Sequence, residues 1–521
     1  MGDPTLTAAS WAADRSLPLI AGSVGDVLRR NASERGDRAA LFLPTAAGVE
    51  VITHAELLAR STALAQWMLE RTRPGDRVAT WSRNALELIL IHHASALAGT
   101  ILAPFNPSWA DAETRHALSL AQPSLFFVGV DGRGGDLTAR ALGLAETEVV
   151  ELDRVQSLRP ARDLALPKVR QDDAYLIQFT SGTTGRAKGA LLSHHAALLG
   201  GWLRPARDGA GPDDVFLNPV PMHHIGGSCH VLLGAASLGA ALVVLERYDP
   251  AQLAALMGPV GATRMGGVPT MWFDLLREPS LPADPRIRIV SLGGASVPPQ
   301  LVERIRGRLG ACCIIGYGQS ECAGLATSTL PSDPDEALIE TVGRAIPHTD
   351  VKIVDMASGQ TLRPGEVGEL WMRGPTKMIG YWNDEAATKG VFTADGFLRT
   401  GDLASMSADG LCRIHGRARE VIIRGGENIY PIEIENILLE HPSVASAAVV
   451  GLPDERLGQI VAAAVTPHAG TGLEIAALKA HVAERVAHFK APAVWRVMEQ
   501  LPMTASGKVR KHELAELMSA Q

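Results

Sequence analysis

Between Tyr175 and Tyr317, short apolar runs rich in β-branched side chains alternate with longer stretches of helical periodicity. AYLIQF, DVFLNPV, ALVVLE, ATRMGGV, RIRIVSL and ACCIIGY predict strands, and the segments after His194, Gly227, Asp249, Pro269 and Pro298 predict the helices between them. This rhythm predicts an α/β fold, with a largely parallel sheet covered by helices on both faces. Gly and Pro stand at nearly every junction, where the chain must turn. From Ser23 to Phe127 the rhythm repeats, with WMLERTRPGDRVATWS and ALELILIHHASALAGTILAPFNP, and predicts a second doubly wound sheet. From Val342 to Met372 the runs DVKIVD and GEVGELWMRG, separated by Ser-Gly and Pro-Gly turns, predict a small antiparallel, β-barrel-like unit. After Arg417 the pattern changes again, and a compact α+β domain is expected. The expected division is residues 1–417 as a large amino-terminal domain and 418–521 as a small carboxyl-terminal one.

Charge narrows the function. The chain has 49 Lys plus Arg against 56 Asp plus Glu, a net charge of −7, with no segment that concentrates basic residues. A nucleic-acid groove or a membrane-surface patch would need such a concentration, so a small-molecule substrate is expected, with no nucleic acid and no membrane. The five cysteines, Cys229, Cys312, Cys313, Cys322 and Cys412, lack metal-ligand spacing and read as reduced packing residues. MGDPTLTAAS has no basic region followed by an apolar stretch, and its myristoylation pattern fails at Leu6, so a cytoplasmic protein is expected.

TSGTTGRAKG, Thr180 to Gly189, carries the first chemistry. It follows the strand YLIQF and precedes a helix beginning near His194, a strand–loop–helix context suited to phosphate. Gly182, Gly185 and Gly189 let backbone N–H groups turn inward. Thr180, Ser181, Thr183 and Thr184 add hydroxyls, and Lys188 adds a charge. The spacing does not satisfy GxxxxGK[ST], so a Walker-type NTPase is not indicated. The alternative is a flexible Gly/Thr linker.

Further motifs come in order: PMHHIGG (Pro221 to Gly227), SLGGAS (Ser291 to Ser296), GYGQSE (Gly316 to Glu321), TGDL (Thr400 to Leu403), GRAREVIIRGGENIYPIEIE (Gly416 to Glu435) and MTASGKVRK (Met503 to Lys511). Singly, a histidine, a glycine pair, a turn aspartate or a late lysine is more often structural. In this order, over about residues 25 to 515, the chain resembles the adenylate-forming superfamily of acyl-CoA synthetases, non-ribosomal peptide adenylation domains and beetle luciferase.

That resemblance implies ATP, Mg²⁺ and coenzyme A, and assigns roles. Thr180, Ser181, Gly182, Thr183, Thr184, Gly185 and Lys188 would hold phosphates. Gly293, Gly294 and Ala295 would pass under adenine, with Gly316, Tyr317 and Gly318 beside it. Ser320 and Glu321 would offer oxygens to Mg²⁺. Asp402 and Arg417 would contact ribose, and Arg419 would be the hinge, where Asp or Lys is usual. Gly425 and Gly426 would line a pantetheine tunnel after rotation of a mobile carboxyl-terminal lid. Lys508 would be the catalytic lysine, with Thr180, His224 and Glu321 also catalytic. His224 would line the acyl pocket, where its presence argues against an amino-acid substrate.

The acyl wall is expected from His223, His224, Gly226, Gly227, Cys229, Gly266, Gly267, Val268, Pro269, Thr270, Gly293 and Gly318. If the glycines leave space unfilled, the pocket suits a medium-chain or bulky hydrophobic acid; equally, they serve tight helix–strand packing. His223 would read a polar group on the acid or face solvent. With no carrier-like stretch before Gln521, free coenzyme A is the expected acceptor and an acyl carrier protein the alternative. A homodimer stays open, and a catalytically silent acyl- or nucleotide-binding protein is the rival of another class.

Overall fold

A computed structural model describes residues 5–180, 187–468, 471–503 and 509–519. The amino-terminal part holds two large sheets. The seven-stranded one runs Gly380–Tyr381, Lys188–Ser193, Ala174–Thr180, Ile101–Phe105, Arg77–Trp81, Leu125–Val128, Glu148–Glu151. The nine-stranded one runs Arg344–Ala345, Thr327–Ser328, Cys312–Tyr317, Ile289–Gly293, Arg264–Gly267, Val215–Asn218, Ala241–Val244, Ala39–Thr45, Gly48–Thr53.

Two strand memberships differ from the sequence expectation. AYLIQF does not join DVFLNPV and the later predicted strands; it pairs in parallel with Ile101–Phe105 in the other sheet. Ala39–Thr45 crosses the opposite way, pairing in parallel with Ala241–Val244. A strand buried on both faces is apolar throughout, so its pattern carries no mark of which neighbour it will take.

The largest core lies between these sheets, in a helical layer made by Val24–Arg35, His54–Leu69, Leu86–Ala98 and His194–Arg207. Their starts are encoded locally. Ser23 with Asp26 and Thr53 with Glu56 form reciprocal caps, and the Ser193 hydroxyl accepts from the Ala196 N–H at 3.1 Å. The His194–Arg207 helix lies close against its neighbour because Gly201 has no Cβ; one there would sit 2.2 Å from the Cys229 carbonyl oxygen. That neighbour, Gly226–Leu233, is a π-helix, a form that gathers at functional sites.

The expected antiparallel unit is present and larger than its two predicted strands. Ser10–Trp11, Asp350–Val354, Gly368–Arg373, Leu398–Met406 and Cys412–Arg417 form a five-stranded antiparallel sheet. It ends at Arg417, a single 3₁₀ turn comes next at Ala418–Glu420, and the strand after that, Ile422–Arg424, belongs to a separate sheet. There Glu427–Ile429, Ile422–Arg424, Gly458–Pro467 and Val444–Asp454 pair antiparallel, and Val494–Val497 adds in parallel. Helices Pro431–Leu439, Ile475–Ala483 and Lys511–Ser519 cover it. No helix among the described residues is long and apolar enough to cross a membrane.

Candidate active site

The carboxyl ends of the parallel strands in the nine-stranded sheet open into one cavity of about 2230 Å³. Ligands in open α/β sheets bind at that edge. Thr180, Lys188, His223, His224, Gly226, Gly266, Gly267, Val268, Gly293, Gly294, Gly316, Gly318, Ser320, Glu321, Arg417 and Arg419 all line it. Val509 to Glu513, at the start of the last helix, close it from the carboxyl-terminal side. Ser181, Gly182, Thr183, Thr184, Gly185 and Lys508 lie outside the described residues.

The phosphate-loop context corrects the sequence reading. The loop joins two antiparallel strands, with Thr180 opposite Lys188, and the helix begins only at His194 after the strand Lys188–Ser193. KGALLS is apolar enough to pair with AYLIQFT, so the strands that flank the loop are paired antiparallel and the helix starts only after the second of them. The His116 ring bonds the Ala187 carbonyl at 2.9 Å and fixes the loop's exit. The ammonium of Lys188 lies 5.0 Å from the ring centre of Tyr381.

The same Tyr381 donates its hydroxyl to Glu321 Oε1 at 2.8 Å. Glu321 is 8% exposed and sits in a 3₁₀ turn, Ser320–Cys322, just past the strand Cys312–Tyr317. Its carboxylate forms no ion pair with a described residue. Burial and the adjacent carboxylate push the Tyr381 phenol far above its ordinary range, so it remains a donor.

Asp402 and Tyr317 lie immediately behind the cavity wall. Asp402 is 4% exposed; its Oδ1 stands 2.7 Å from Arg417 Nε and its Oδ2 accepts from the Tyr317 hydroxyl at 2.5 Å. Antiparallel pairing sets Asp402 directly opposite Arg417, which explains how residues fifteen apart in sequence form the pair. Burial opposes the Arg417 charge, but Asp402, Tyr317 and Glu321 outweigh it and raise the guanidinium above its ordinary value.

On the acyl side, His224 Nδ1 accepts from the Gly226 N–H at 3.2 Å, which puts the proton of the neutral ring on Nε2. His223 does not face bulk solvent. Its ring lines the cavity, its buried Nδ1 has no hydrogen-bond partner among the described residues, and burial with His224 alongside pulls its pKa down to about 3. Its carbonyl accepts from Gln178 Nε2 at 2.7 Å, and Ser228 links Gln178 back to the His224 carbonyl.

The glycines divide between the two roles open from the sequence. At Gly227 a Cβ would stand 2.2 Å from the Pro221 carbonyl oxygen, and at Gly318 2.3 Å from that of Gly324, so these serve close backbone approach. At Gly266 the nearest atom would be 3.8 Å away, and Gly294, at φ +79°, needs a left-handed backbone, so these leave room on the cavity side. Cys229 and Pro269 are buried behind the wall, and burial pushes the Cys229 thiol up to about 12. Ala295 is exposed beside Ser296, whose hydroxyl donates to Asn436 Oδ1 at 2.7 Å across to the carboxyl-terminal part. Gly425 and Gly426 form an exposed hairpin tip with φ +62° and +91° and do not line the cavity.

Sequence reasoning missed Tyr381, Trp109, His116, Arg204 and Arg264, all of which line the cavity. Arg264 lies inside the predicted strand ATRMGGV, and none of the five belongs to a motif named from the sequence.

Two family models match the chain: the AMP-binding enzyme over residues 28–382 and the AMP-binding enzyme C-terminal domain over residues 433–508. The chain is 31% identical to the mitochondrial medium-chain acyl-CoA ligase ACSF2 of Danio rerio, covering 99% of this chain and 92% of that protein. It is 34% identical to the 3-[(3aS,4S,7aS)-7a-methyl-1,5-dioxo-octahydro-1H-inden-4-yl]propanoyl:CoA ligase of Mycobacterium tuberculosis, covering 85% and 89%. Among solved structures, the O-succinylbenzoate coenzyme A synthetase of Bacillus subtilis, in complex with ATP and magnesium ion, superposes with a TM-score of 0.84 at 27% identity. That match covers 94% of this chain and 98% of the other.

Proposed function

The chain belongs to the AMP-binding enzyme family, and from that premise we propose that it is an ATP-dependent acid–thiol ligase. A carboxylic acid and ATP would give acyl-AMP and pyrophosphate, and coenzyme A would then take the acyl group and release AMP. One observation carries this reading: the glycine-lined strand ends, the phosphate-loop flanks, Glu321 and a largely apolar recess open into a single cavity. Nucleotide and acid can therefore meet without leaving it. The names of the relatives favour coenzyme A over a carrier protein as acceptor.

In the first step the carboxylate attacks the α-phosphate, and negative charge grows on the phosphoryl oxygens and the leaving pyrophosphate. Catalysis is then positioning and charge neutralisation. Thr180, the loop beyond it, Lys188 and Lys508 would face that charge. Mg²⁺ fits beside Glu321 and Ser320: the carboxylate lines the cavity without an ion-pair partner among the described residues, and Mg²⁺ takes one or two protein oxygens with phosphate and water completing the shell. Bound there, it would neutralise phosphate charge.

In the second step a thiol must reach the acyl carbonyl that Lys508 would cover, so the carboxyl-terminal part turns about Ala418–Glu420 and brings Gly425 and Gly426 forward. The recess suits a medium-chain or bulky alicyclic or aromatic acid. The test is Lys508→Ala, which should lower acid-dependent ATP–pyrophosphate exchange about 10²- to 10³-fold, the loss typical of removing one preorganised donor. Unchanged exchange would overturn the assignment.

A further inference from the structure

Three histidines line the acyl side of the cavity, His223, His224 and His230, beside apolar walls made by Phe216, Val231, Met265, Leu292 and Leu325. Two of the rings are tied to backbone. His224 Nδ1 accepts from the Gly226 N–H at 3.2 Å, and His230 Nε2 bonds the Ala323 carbonyl at 3.1 Å. The His223 ring makes no hydrogen bond with a described residue; only its carbonyl is engaged.

The turn that carries His223 is nonetheless fixed from behind by two buried amide side chains. Asn84 donates to the Val220 carbonyl at 3.1 Å and accepts from the Met222 N–H at 2.7 Å, and Gln178 donates to the His223 carbonyl at 2.7 Å. The ring is therefore placed by its backbone, with no side-chain partner to use up its polarity.

The two ring nitrogens differ. Nδ1 is sealed by protein and meets no partner, whereas Nε2, the nitrogen farther from the backbone, is not sealed and the ring lines the cavity. Burial, with His224 alongside, keeps the ring neutral, so one nitrogen carries a proton and the other a lone pair. A proton on Nδ1 would bury a donor against nothing. A lone pair left there is the smaller cost, since buried acceptors go unmet more often than buried donors. The proton therefore sits on Nε2, and a neutral N–H donor opens on the recess. A donor beside apolar walls is costly unless an acceptor meets it.

Resting on the acid-activating reading above, we propose that the substrate supplies this acceptor: His223 Nε2–H receives a neutral oxygen, a ketone or its like, on the body of the acyl group. The preferred acids are then oxygenated within an otherwise hydrophobic chain or ring. An unsubstituted hydrocarbon fits the same space but leaves the donor unmet, so it is selected against without any steric clash.

The experiment measures acyl-CoA formation by the full chain, with ATP, Mg²⁺ and coenzyme A, from octanoate and from 4-, 5-, 6- and 7-oxooctanoate. At least one oxo acid should exceed octanoate in kcat/KM by about 5- to 150-fold, the cost of leaving one buried donor unmet, and the isomer that leads locates the oxygen along the chain. The leading acid is then compared with its isostere in which =CH₂ replaces the ketone oxygen; the ketone should keep a similar advantage. His223→Phe should bring that ketone-to-isostere ratio to within about twofold of one, and His223→Gln, which retains an N–H donor, should hold part of it. Octanoate matching or exceeding every oxo acid, an isostere that equals its ketone, or a ratio that survives His223→Phe would each overturn the inference and leave acid activation standing. If the variants do not fold, the wild-type comparison of ketone with isostere decides alone. No acyl-adenylate or thioester from any acid would overturn both readings.

Discussion

Asp402→Asn separates charge from shape in the pair behind the nucleotide side of the cavity. The wild-type carboxylate is 4% exposed and takes Arg417 Nε at 2.7 Å and the Tyr317 hydroxyl at 2.5 Å. Asparagine keeps the volume and one acceptor oxygen, and the tyrosine hydroxyl can rotate to accept from the new amide. What disappears is the charge. Hydrogen bonds to charged groups contribute about 1.5–3 kcal/mol against about 1 for neutral ones. The Arg417 side chain is 38% exposed, so water relieves part of its lost partner. The net loss is about 1–2 kcal/mol, a factor of roughly 5 to 30.

If this carboxylate also receives the ribose, that factor falls on KM for ATP in acid-dependent ATP–pyrophosphate exchange, while KM for the acid stays within about twofold. Arg417→Met should raise KM for ATP similarly. The double variant should then fall short of the sum, because residues in one ion pair couple. An unchanged KM for ATP in Asp402→Asn, or two losses that add independently, would refute the reasoning.

Glu321→Gln should lower adenylation by about 10²- to 10³-fold and raise the Mg²⁺ concentration needed for half-maximal exchange; Tyr381→Phe, which removes one hydrogen bond to that carboxylate, should cost less, about 10- to 100-fold. An equal loss in both would mean the carboxylate acts through its tyrosine and not on the metal. Arg419→Pro, at the 3₁₀ turn between the two sheets, should slow thioester formation more than pyrophosphate exchange, and equal slowing would move the pivot elsewhere. Lys511→Met removes contacts to Glu435 at 2.8 Å and Glu420 at 3.1 Å and should destabilise the protein by about 2 kcal/mol, read by denaturant titration. Burial opposes the Lys511 charge, but Glu435 and Glu420 outweigh it and raise its pKa, so the stabilisation is complete below the unfolded lysine value and fades only above it. The loss should therefore be the same at pH 6 and pH 9; a difference between them would contradict the pairing.

The parts of the site legible in the sequence are those where backbone geometry and chemistry coincide. GYGQSE announces a strand end because glycine and polar residues interrupt an apolar run there, whereas TGDL lies inside the strand Leu398–Met406; both lead to residues at or just behind the cavity wall. Strand partnership was not legible, since AYLIQF and its neighbours are apolar on both faces and could join either sheet. The hairpin beneath the phosphate loop was hidden by the brevity of KGALLS, which reads as a lead-in to the helix. Tyr381 sits in a two-residue strand that only tertiary pairing creates. Arg204 was masked by a default: an arginine late in a helix usually belongs to a solvated face and favours the helix dipole. The available signal was Gly200, four residues earlier and so on the same face, where a Cβ would sit 2.5 Å from the Ala323 carbonyl oxygen. A face that packed cannot be the wet one.

The π-helix at Gly226–Leu233 gives the acyl wall a second means of variation besides side-chain replacement. Its wide turns hold one residue more than an α-helix would over the same contacts. Loss of that residue would let the segment tighten to 3.6 residues per turn and rotate the positions beyond it by about 100°. His230 and Val231, now on the cavity, would turn away and their neighbours would take their place. The recess can therefore be refitted to a different acid by a change in chain length, with every remaining amino acid kept.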